Sequence, residues 1–147
     1  MKSEPDECSI DDALAAPKRI TPWSGVRNYQ ARNFMLKEMQ VGDGVLFYHS
    51  SCPEPGVAGL AEVASAAYPD QTQFDPKSDY YDPQAKRDKP RWFNVDVRAL
   101  KKTRLLPLAE LKRQKQLKSM VTLRPGNRLS ITPVTEAEWK HITTRLV

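Results

Sequence analysis

The stretch "VGDGVLFYHSSCPEPGVAGLAEV", residues 41–63, predicts the central unit of the fold. Residues 45–50 form a mostly apolar run that is typical of a buried strand, and residues 57–69 predict a second, longer strand. The segment "SCPEPG", residues 51–56, separates them with two prolines and a glycine, which favour a turn. We therefore expect these two strands to form a hairpin, because consecutive strands joined by a short turn pair in the antiparallel sense.

Two helices are expected before this hairpin. The segment "SIDDAL", residues 9–14, predicts a short helix with Ser9 as its N-cap. Asn28 is the expected N-cap of a second helix that ends near Met39, and Gly42 follows the end of that helix. Side chains with helical spacing on this second helix, which we expect to face the core, are Ala31, Phe34, Met35 and Met39.

The rest of the chain is expected to form a long loop, two strands and two helices. The polar segment 70–90 contains three prolines and predicts the loop, and long ordered loops in small domains are often functional. Strands are expected at 91–102 and 128–134, and helices at 108–117 and 135–146. Thr135 and Glu138 have the spacing of a capping box, and Trp139 and Ile142 are expected to dock the last helix. The predicted fold class is α+β, with a small curved sheet or barrel flanked by helices in a single domain over residues 1–147.

The composition excludes several classes of protein. Hydrophobic residues make up 39% of the 147 residues and charged residues 28%, which suits a chain that buries a core. No apolar run approaches the roughly 20 residues of a membrane span, and the polar start "MKSEPDECSIDD" does not resemble a signal peptide. Cys8 and Cys52 lack a C-x-x-C spacing, so we expect both to be reduced. The expected location is the cytoplasm, or the nucleus if the source is eukaryotic.

Positive charge is concentrated in one part of the chain. Residues 86–128 contain 14 Lys and Arg against 3 Asp and Glu, a local charge of +11. Since the whole chain carries +5, the remaining residues carry −6. This asymmetry indicates an anionic partner, with nucleic acid first, while the alternative is a basic surface that only faces solvent.

Aromatic residues occur together with hydrogen-bonding residues near the expected loop ends. Trp23 precedes the helix that Asn28 caps, and Tyr48 and His49 end a strand. A base held outside a duplex needs an aromatic face for stacking and polar groups for its edge. Arg27 near a helix N-terminus suits a phosphate. Further aromatic residues near the loop 70–90, which either pin that loop or contribute to a base site, are Tyr68, Tyr80, Tyr81 and Trp92.

The same residues also have purely structural interpretations. Trp23 is typical of a core tryptophan, since tryptophans are usually highly buried. His49 is typical of a structural, hydrogen-bonded histidine, and Tyr48 of a residue that fills a strand face. Arg27 and Arg32 are candidates for ion pairs with the N-terminal carboxylates.

Motifs for common enzyme mechanisms are missing from the sequence. There is no G-x-S-x-G, no P-loop and no G-x-G-x-x-G. Two histidines are too few for a histidine-rich metal site, and the aspartates near residue 75 lack the EF-hand spacing, so we expect no metal and no cofactor. An enzyme acting on a nucleoside or nucleotide remains the alternative, with His49 as the acid–base group and Glu4 or Asp70 as its partner. A third alternative is a scaffold that docks a protein through the basic helix 108–117.

Seven segments, taken in order, resemble the EVE domain family. They are "KSEPDECSIDD", "WSGVRNYQARN", "VGDGVLFYHSS", "PGVAGLAEV", "AYPDQTQFDP", "PRWFNVDV" and "RLSITPV". The resemblance covers the chain from Lys2 to the last helix. It implies a PUA-like fold, a curved and barrel-like sheet with helices around it, and a relation to YTH domains, which hold a methylated adenine in an aromatic cage. It further implies a reader of modified bases in DNA or RNA, with modified cytosine as one such base, and not an enzyme.

The resemblance also implies a set of ligand-binding residues. Trp23 matches the cage tryptophan, Arg27 and Asn28 would contact a base edge or phosphate, and Lys2, Ser3 and Glu4 match the first-strand motif. Tyr48, His49 and Ser50 match a strand end that faces the same cavity. Arg128 and Ser130 match the phosphate side. Residues with a weaker correspondence are Tyr68, Asp70 and Trp92.

The start of the sequence departs from the family pattern. Family members usually carry several residues, often "YWL", before the stretch that matches "MKSEP", whereas Met1 stands directly before Lys2 here. Either the first strand is short in this protein, or the chain starts at an internal methionine. The second case would leave a groove beside the neighbouring strand. The choice between DNA and RNA, the modified base and the oligomeric state stay open at this level.

Overall fold

A computed structural model describes all residues from Met1 to Val147. Its centre is a curled, half-barrel sheet of five strands. In spatial order these are β1 (Lys2–Ser3), β3 (Gly44–His49), β4 (Gly56–Val63), β7 (Asp96–Pro107) and β2 (Ile20–Pro22). β1 runs parallel to β3, and every other neighbouring pair is antiparallel. A separate two-stranded ladder joins β5 (Tyr68–Pro69) to β6 (Phe93–Asn94).

Five short α-helices surround the sheet. They are α1 (Pro5–Cys8), α2 (Ile10–Ala15), α3 (Tyr29–Asn33), α4 (Leu108–Lys112) and α5 (Glu136–His141). A π-turn extends α3 over Phe34–Glu38, and another extends α5 over Ile142–Leu146. Single 3₁₀ turns lie at Pro17–Arg19, Gln71–Phe74, Lys115–Leu117 and Val121–Leu123. No helix is long and apolar enough to cross a membrane.

The predicted helix starts are confirmed at the level of hydrogen bonds. Ser9 caps α2 in a reciprocal capping box with Asp12, and Asn28 Oδ1 accepts from the Ala31 amide at the start of α3. Thr135 and Glu138 form the capping box of α5. These side chains satisfy amide donors that a helix leaves free in its first turn, which is why each helix begins at the predicted residue.

The hairpin is confirmed, but its second strand is shorter than predicted. β3 and β4 pair antiparallel, with a bulge after Phe47. β4 ends at Val63 instead of continuing to residue 69. The chain leaves the sheet because the Ser65 hydroxyl accepts from the Asp96 amide and so replaces a backbone partner. β7 in turn continues to Pro107, past the predicted end at residue 102.

Two further predictions are wrong in detail. Residues 128–134 form no strand, because Asn127 turns the chain by binding the Val121 carbonyl and the Leu129 amide. The predicted helix 108–117 stops at Lys112 and resumes as the turn Lys115–Leu117. A continuous helix would place Leu111 and Leu117 about 120° apart, whereas the break lets both point inward, and both are buried.

The two faces of the sheet carry two apolar clusters. Along β3 the side chains alternate, so Val45 and Phe47 belong to the first cluster, and Leu46 and Tyr48 to the second. α2, α3 and the π-turn after α3 pack onto the first cluster through residues that include Ile10, Ala13, Ala31 and Met35. The second takes the C-terminal third of the chain, through Leu106, Leu111, Leu117, Met120, Leu123 and Ile142. Trp139 packs against the second cluster as expected, and Phe34 and Met39 lie at the edge of the first.

A cavity of about 540 Å³ lies beside β1. Most of its lining residues are apolar, and they include Met1, Tyr48, Met120 and Trp139. β1 pairs only with Tyr48 and His49, and the Met1 amino group donates to the Leu46 carbonyl at 2.9 Å. No strand lies beside the start of β3 at Gly44 and Val45 on that side, and the cavity lies there.

Candidate nucleic-acid interface

One wall of the candidate site forms where β1 and β3 end side by side. Ser3 pairs with His49, and the Ser50 amide donates to the Ser3 carbonyl at 2.9 Å. The Ser3 hydroxyl donates to the Cys8 carbonyl at 2.6 Å, which holds α1 against the strand end. Glu4 follows as the exposed N-terminal flank of α1. This wall is therefore polar and rigid.

His49 has a structural hydrogen bond in this wall. Its Nε2 accepts from the Ile10 amide at 3.1 Å, and its ring meets Phe47 edge-on at 5.8 Å. Because Nε2 accepts, the ring proton must sit on Nδ1 and the imidazole must be neutral. Burial lowers the pKa of His49 in agreement with this state. The structural interpretation of His49 fits the geometry better than an acid–base role at Nε2.

Trp23 begins the opposite wall but is not an open stacking platform. It is only 8% exposed, meets Phe47 edge-on at 5.5 Å and belongs to the first apolar cluster. Its amide donates to the Val95 carbonyl. Truncation to alanine would remove core packing, so we do not expect the fold to survive Trp23→Ala intact.

Arg27 connects the opposite wall to the long loop. Its guanidinium donates to the Tyr80 carbonyl at 2.7 and 3.0 Å, to Asp70 Oδ2 at 3.1 Å and to Thr72 Oγ1 at 3.0 Å. All three of its nitrogens therefore have partners in the protein. The expected pairing with N-terminal carboxylates is wrong, because Asp70 is the ion-pair partner. The Asn28 side-chain oxygen also has a partner within the protein, because it caps α3.

Asp70 is the buried anchor of this connection. It is 1% exposed and accepts from the Gly25 amide, the Thr72 amide and hydroxyl, and Arg27. Burial alone would raise the pKa of Asp70, but the hydrogen bonds from Thr72, Gly25 and Arg27 hold it below its usual value. Its oxygens point to these donors, which does not suit a partner for His49 in proton transfer.

Tyr80 joins the segment around Gly25 to α1. Its ring lies directly on Gly25, since a Cβ added at Gly25 would meet three ring atoms at 2.8 to 3.0 Å. Its hydroxyl donates to both carboxylate oxygens of Glu7 at 3.2 Å. Burial and the Glu7 charge raise the pKa of Tyr80, so it remains a donor. The interpretation that Tyr80 pins its loop is confirmed, whereas its contact with α1 had no signal in the sequence.

Aromatic and cationic side chains stack in series along this loop. Arg27 lies 5.6 Å from the Tyr80 ring and 5.5 Å from the Trp92 ring. Trp92 stacks on Tyr29 at 4.9 Å, and Arg32 lies 4.7 Å from the Tyr29 ring. Trp92 itself is buried. The series fixes the loop 70–90 against α3, and Tyr29 is the member that sequence reasoning missed.

A polar group lies at the base of the loop. The Tyr68 hydroxyl donates to Asp96 Oδ1 at 2.5 Å. Asn94 pairs with Tyr68 across the β5–β6 ladder, and its buried Nδ2 has no hydrogen-bond partner. Asn94 was not among the predicted residues, because an Asn within a strand carries no motif. Tyr68 is thus tied to Asp96 below the loop.

The predicted site residues divide into two groups on opposite sides of β3. Tyr48 does not face the same cavity as His49, because neighbouring side chains on a strand point to opposite faces. Tyr48 is buried in the second cluster, with Lys2 Nζ 5.8 Å from its ring. Lys2 also links to the C-terminal third, through its amide to the Ser130 carbonyl at 2.7 Å and its Nζ to the Asn127 carbonyl at 3.4 Å. Arg128, which directly follows Asn127 in the sequence, is exposed and forms no ion pair.

No group of three or more His, Cys, Asp or Glu side chains is arranged to hold a metal ion. Both cysteines are free. The groups that this interface offers to a ligand are therefore hydrogen-bonding groups, aromatic rings and surface charges.

A curled half-barrel sheet of five strands with flanking helices is the architecture of a PUA-like domain. The EVE domain family description matches residues 1–145. The chain belongs to the EVE domain family.

Similar proteins support this assignment. Thymocyte nuclear protein 1 of Homo sapiens is 46% identical over 160 residues, which cover 97% of this chain and 70% of that protein. A crystal structure from Pseudomonas putida matches with a TM-score of 0.92 and 49% identity, covering 97% of this chain and 95% of that one. The crystal structure of the human THYN1 protein in complex with 5-methylcytosine-containing DNA matches with a TM-score of 0.91 and 44% identity, covering 97% and 92%. The predicted fold class is confirmed.

Proposed function

We propose that this chain is a nucleic-acid-binding module that reads a modified base, and that it is not an enzyme. The observation that carries the proposal is its similarity to the human protein whose crystal structure contains 5-methylcytosine DNA, at 44% identity over 97% of this chain. Residues 1–147 act as one EVE domain in this proposal. In this proposal the protein works in the cytoplasm, or in the nucleus if the source is eukaryotic, and its two free cysteines suit either reducing compartment.

We propose that the base binds at the end of the β1–β3 pair. In this proposal the polar wall of Ser3, His49 and Ser50 and the segment from Trp23 to Arg27 form the two sides of the site, and Tyr80 spans them through its contacts with Gly25 and Glu7. A base that enters between these walls displaces the Tyr80 ring from Gly25 and meets aromatic and hydrogen-bonding groups together. The residues proposed to contact the ligand, from the base to its flanking phosphates, are Lys2, Ser3, Glu4, Trp23, Arg27, Asn28, His49, Ser50, Arg128 and Ser130. Tyr48 is not among them, because it is buried on the other face of β3.

The alternative, an enzyme acting on a nucleoside or nucleotide, has less support. Its acid–base group would be His49, whose Nε2 already accepts from the Ile10 amide. Its partner would be Asp70 or Glu4. The Asp70 carboxylate already accepts four hydrogen bonds, and Glu4 is exposed. An enzyme would require these bonds to break before proton transfer. Turnover of a nucleoside or nucleotide, lost in His49→Ala with binding retained, would restore this alternative.

Direct binding tests the proposal. The wild-type chain is titrated with matched single- and double-stranded DNA and RNA that carry cytosine, 5-methylcytosine, 5-hydroxymethylcytosine or methylated adenine, at one fixed salt concentration. We expect a preference for one modified base. Equal, weak binding to every member of the panel contradicts a reader.

A pair of variants locates the base. Trp23→Leu removes the aromatic face of the proposed site, and since stacking of a base is worth roughly 1–3 kcal/mol, affinity for the preferred base should fall about tenfold. Trp139→Leu is the matched control, because Trp139 packs on the other apolar cluster. Thermal unfolding of both variants separates loss of the fold from loss of the site. Equal affinity loss in the two variants would place the base elsewhere.

A further inference from the structure

We propose that the phosphates flanking the base bind to a basic strip in the C-terminal third of the chain, and not to the whole basic region 86–128. The inference rests on the proposed nucleic-acid binding and localises one part of it. The basic strip consists of Lys112, Arg113, Lys115, Lys118, Arg124 and Arg128.

Intramolecular ion pairs divide the basic region. Four of its cations between residues 91 and 104 are paired: Arg91 with Asp82, Arg98 with Glu62, Lys102 with Asp11 and Arg104 with Glu110. No member of the basic strip takes part in an ion pair. The reason is visible in the sequence, since no Asp or Glu occurs between Glu110 and Glu136. The strip therefore keeps its full positive charge available.

The fold directs this charge outward. Between residues 111 and 123 the chain buries its apolar side chains, Leu111, Leu117, Met120 and Leu123, in the second apolar cluster. The breaks between α4 and the two 3₁₀ turns bring these four residues to the same side. The four basic side chains between them and the two that follow, Arg124 and Arg128, are all exposed. Apolar anchoring thus fixes a surface of cations that would otherwise repel one another.

The strip reaches β1, the edge strand of the sheet that also carries part of the proposed site. Its end at Asn127 meets the first strand, where Lys2 Nζ lies 3.4 Å from the Asn127 carbonyl. The Lys2 amide donates to the Ser130 carbonyl. The next residue of β1 is Ser3, which belongs to the polar wall beside His49. Because β1 is the edge strand of the sheet, a strand whose base occupies the site would cross this edge over Lys2 to reach the strip on the other face.

The surface chemistry favours a phosphate backbone over a protein partner. Protein interfaces usually depend on buried aromatic or aliphatic anchors. The large exposed apolar side chains of this protein are Tyr29, Leu36, Val41, Tyr81, Leu100 and Val147, and none lies between residues 111 and 135. A phosphate backbone needs only well-placed cations, because binding gains from the release of counterions.

Salt dependence tests the proposal. The dissociation constant for the preferred oligonucleotide is measured between about 50 and 200 mM salt, a range over which phosphate contacts change affinity strongly. Two triple variants each remove half of the strip: Lys112→Gln, Arg113→Gln, Lys115→Gln, and Lys118→Gln, Arg124→Gln, Arg128→Gln. A matched control removes three exposed, unpaired lysines elsewhere: Lys37→Gln, Lys86→Gln, Lys89→Gln.

We expect each strip variant to reduce the slope of log affinity against log salt by about 2 to 3, because each phosphate contact contributes roughly 0.7 in single strands and 0.9 in duplex. The control variant should keep the wild-type slope. An equal reduction in the control would overturn the proposal, since net charge alone would then explain binding. An unchanged slope in both strip variants would also overturn it.

The outcome for the strip is separate from the outcome for the reader. The wild-type chain could prefer a modified base while the strip variants keep the wild-type slope of log affinity against log salt. The proposed function would then stand, and the proposal that the strip binds phosphates would be wrong. If instead the salt slope falls in the strip variants but no modified base is preferred, the strip does bind phosphates. The proposal that the chain reads a modified base would then be wrong.

Discussion

At the scale of single residues, Asp70 does more to hold the candidate site together than any residue that the sequence favoured. It joins Gly25, Arg27 and Thr72 through buried hydrogen bonds. We expect Asp70→Asn to lower the free energy of unfolding by about 3–5 kcal/mol, since it leaves the buried side of Arg27 without a counter-charge. Asp75→Asn, at an exposed carboxylate in the same loop, should cost less than about 1 kcal/mol. Urea denaturation measures both, and equal costs would contradict the role of Asp70.

The Asp70 carboxylate also predicts a response to acid. Because its pKa is held below the usual value in the fold, the stability it contributes is complete above the ordinary carboxylate range. That stability is lost as the pH falls below about 4 and approaches the lowered pKa. In Asp70→Asn this part of the acid dependence of unfolding should be missing.

His49 predicts a second pH effect at a higher range. The fold lowers the pKa of His49, so the neutral ring is favoured in the native state and stability falls as the pH drops below about 6.5. His49→Gln keeps an acceptor for the Ile10 amide but does not titrate. Its unfolding midpoint should therefore change less than that of the wild type between pH 7 and pH 5. His141→Gln is the control, because His141 lies in the other part of the fold, beside Gln114.

Two glycines with positive φ allow the energetic cost of backbone strain to be compared with the added cost of a steric contact. Gly25 has φ +85° and lies under the Tyr80 ring, whereas Gly126 has φ +75° and nothing near the position of a Cβ. Gly126→Ala should cost about 1–2 kcal/mol from backbone strain alone. Gly25→Ala should cost more, because its Cβ must also move Tyr80. Thermal unfolding of the two variants gives the comparison, and equal costs would mean that Tyr80 shifts freely.

At the scale of elements, the helix starts and the hairpin could be predicted because their signals are local. Ser9, Asn28 and Thr135 cap their helices through side chains within three residues. The breaks in the chain were harder to predict because distant residues cause them. β4 ends where Ser65 binds Asp96, and residues 128–134 stay irregular around Asn127. Sequence reasoning assigned Tyr48 and His49 to one cavity, although strand alternation sends them to opposite faces.

The loop 70–90 is the element whose role the sequence described least. Its Tyr80 connects to Glu7, 73 residues away along the chain, and in the proposed function this contact holds the ring over Gly25 at the site. Tyr80→Phe keeps the ring but releases Glu7, so a base should displace the ring more easily. We expect association with the preferred oligonucleotide to become about two- to fivefold faster, as the loss of one weak hydrogen bond allows. Stopped-flow binding measures this rate.

The neighbouring tyrosine provides the control for the loop. Tyr81 is 41% exposed and its hydroxyl makes no hydrogen bond, so Tyr81→Phe should leave the association rate unchanged. An unchanged rate in Tyr80→Phe would show that the contact with Glu7 does not limit access to the site. A slower rate would mean that the hydroxyl contacts the ligand.

At the scale of the whole molecule, the fold class and the charge asymmetry could be predicted, but the division of that charge could not. The sequence places +11 within residues 86–128. Only the structure shows that Arg91, Arg98, Lys102 and Arg104 face carboxylates, some of them distant along the chain. The family resemblance predicted the candidate site residues. Their separation into two groups follows from β3, which lies between them.

The position of β1 and β2 at the two edges of the sheet has a consequence for synthesis. Both strands come from the first 22 residues, yet Ile20 pairs with Arg98, which follows it by 78 residues. At a translation rate of about 5–20 residues per second, β2 exists for roughly 4 to 16 s before its partner is made. During that time the nascent chain exposes an edge that only later residues cover. The N-terminal segment therefore has no strand partner for Ile20–Pro22 until β7 has emerged from the ribosome.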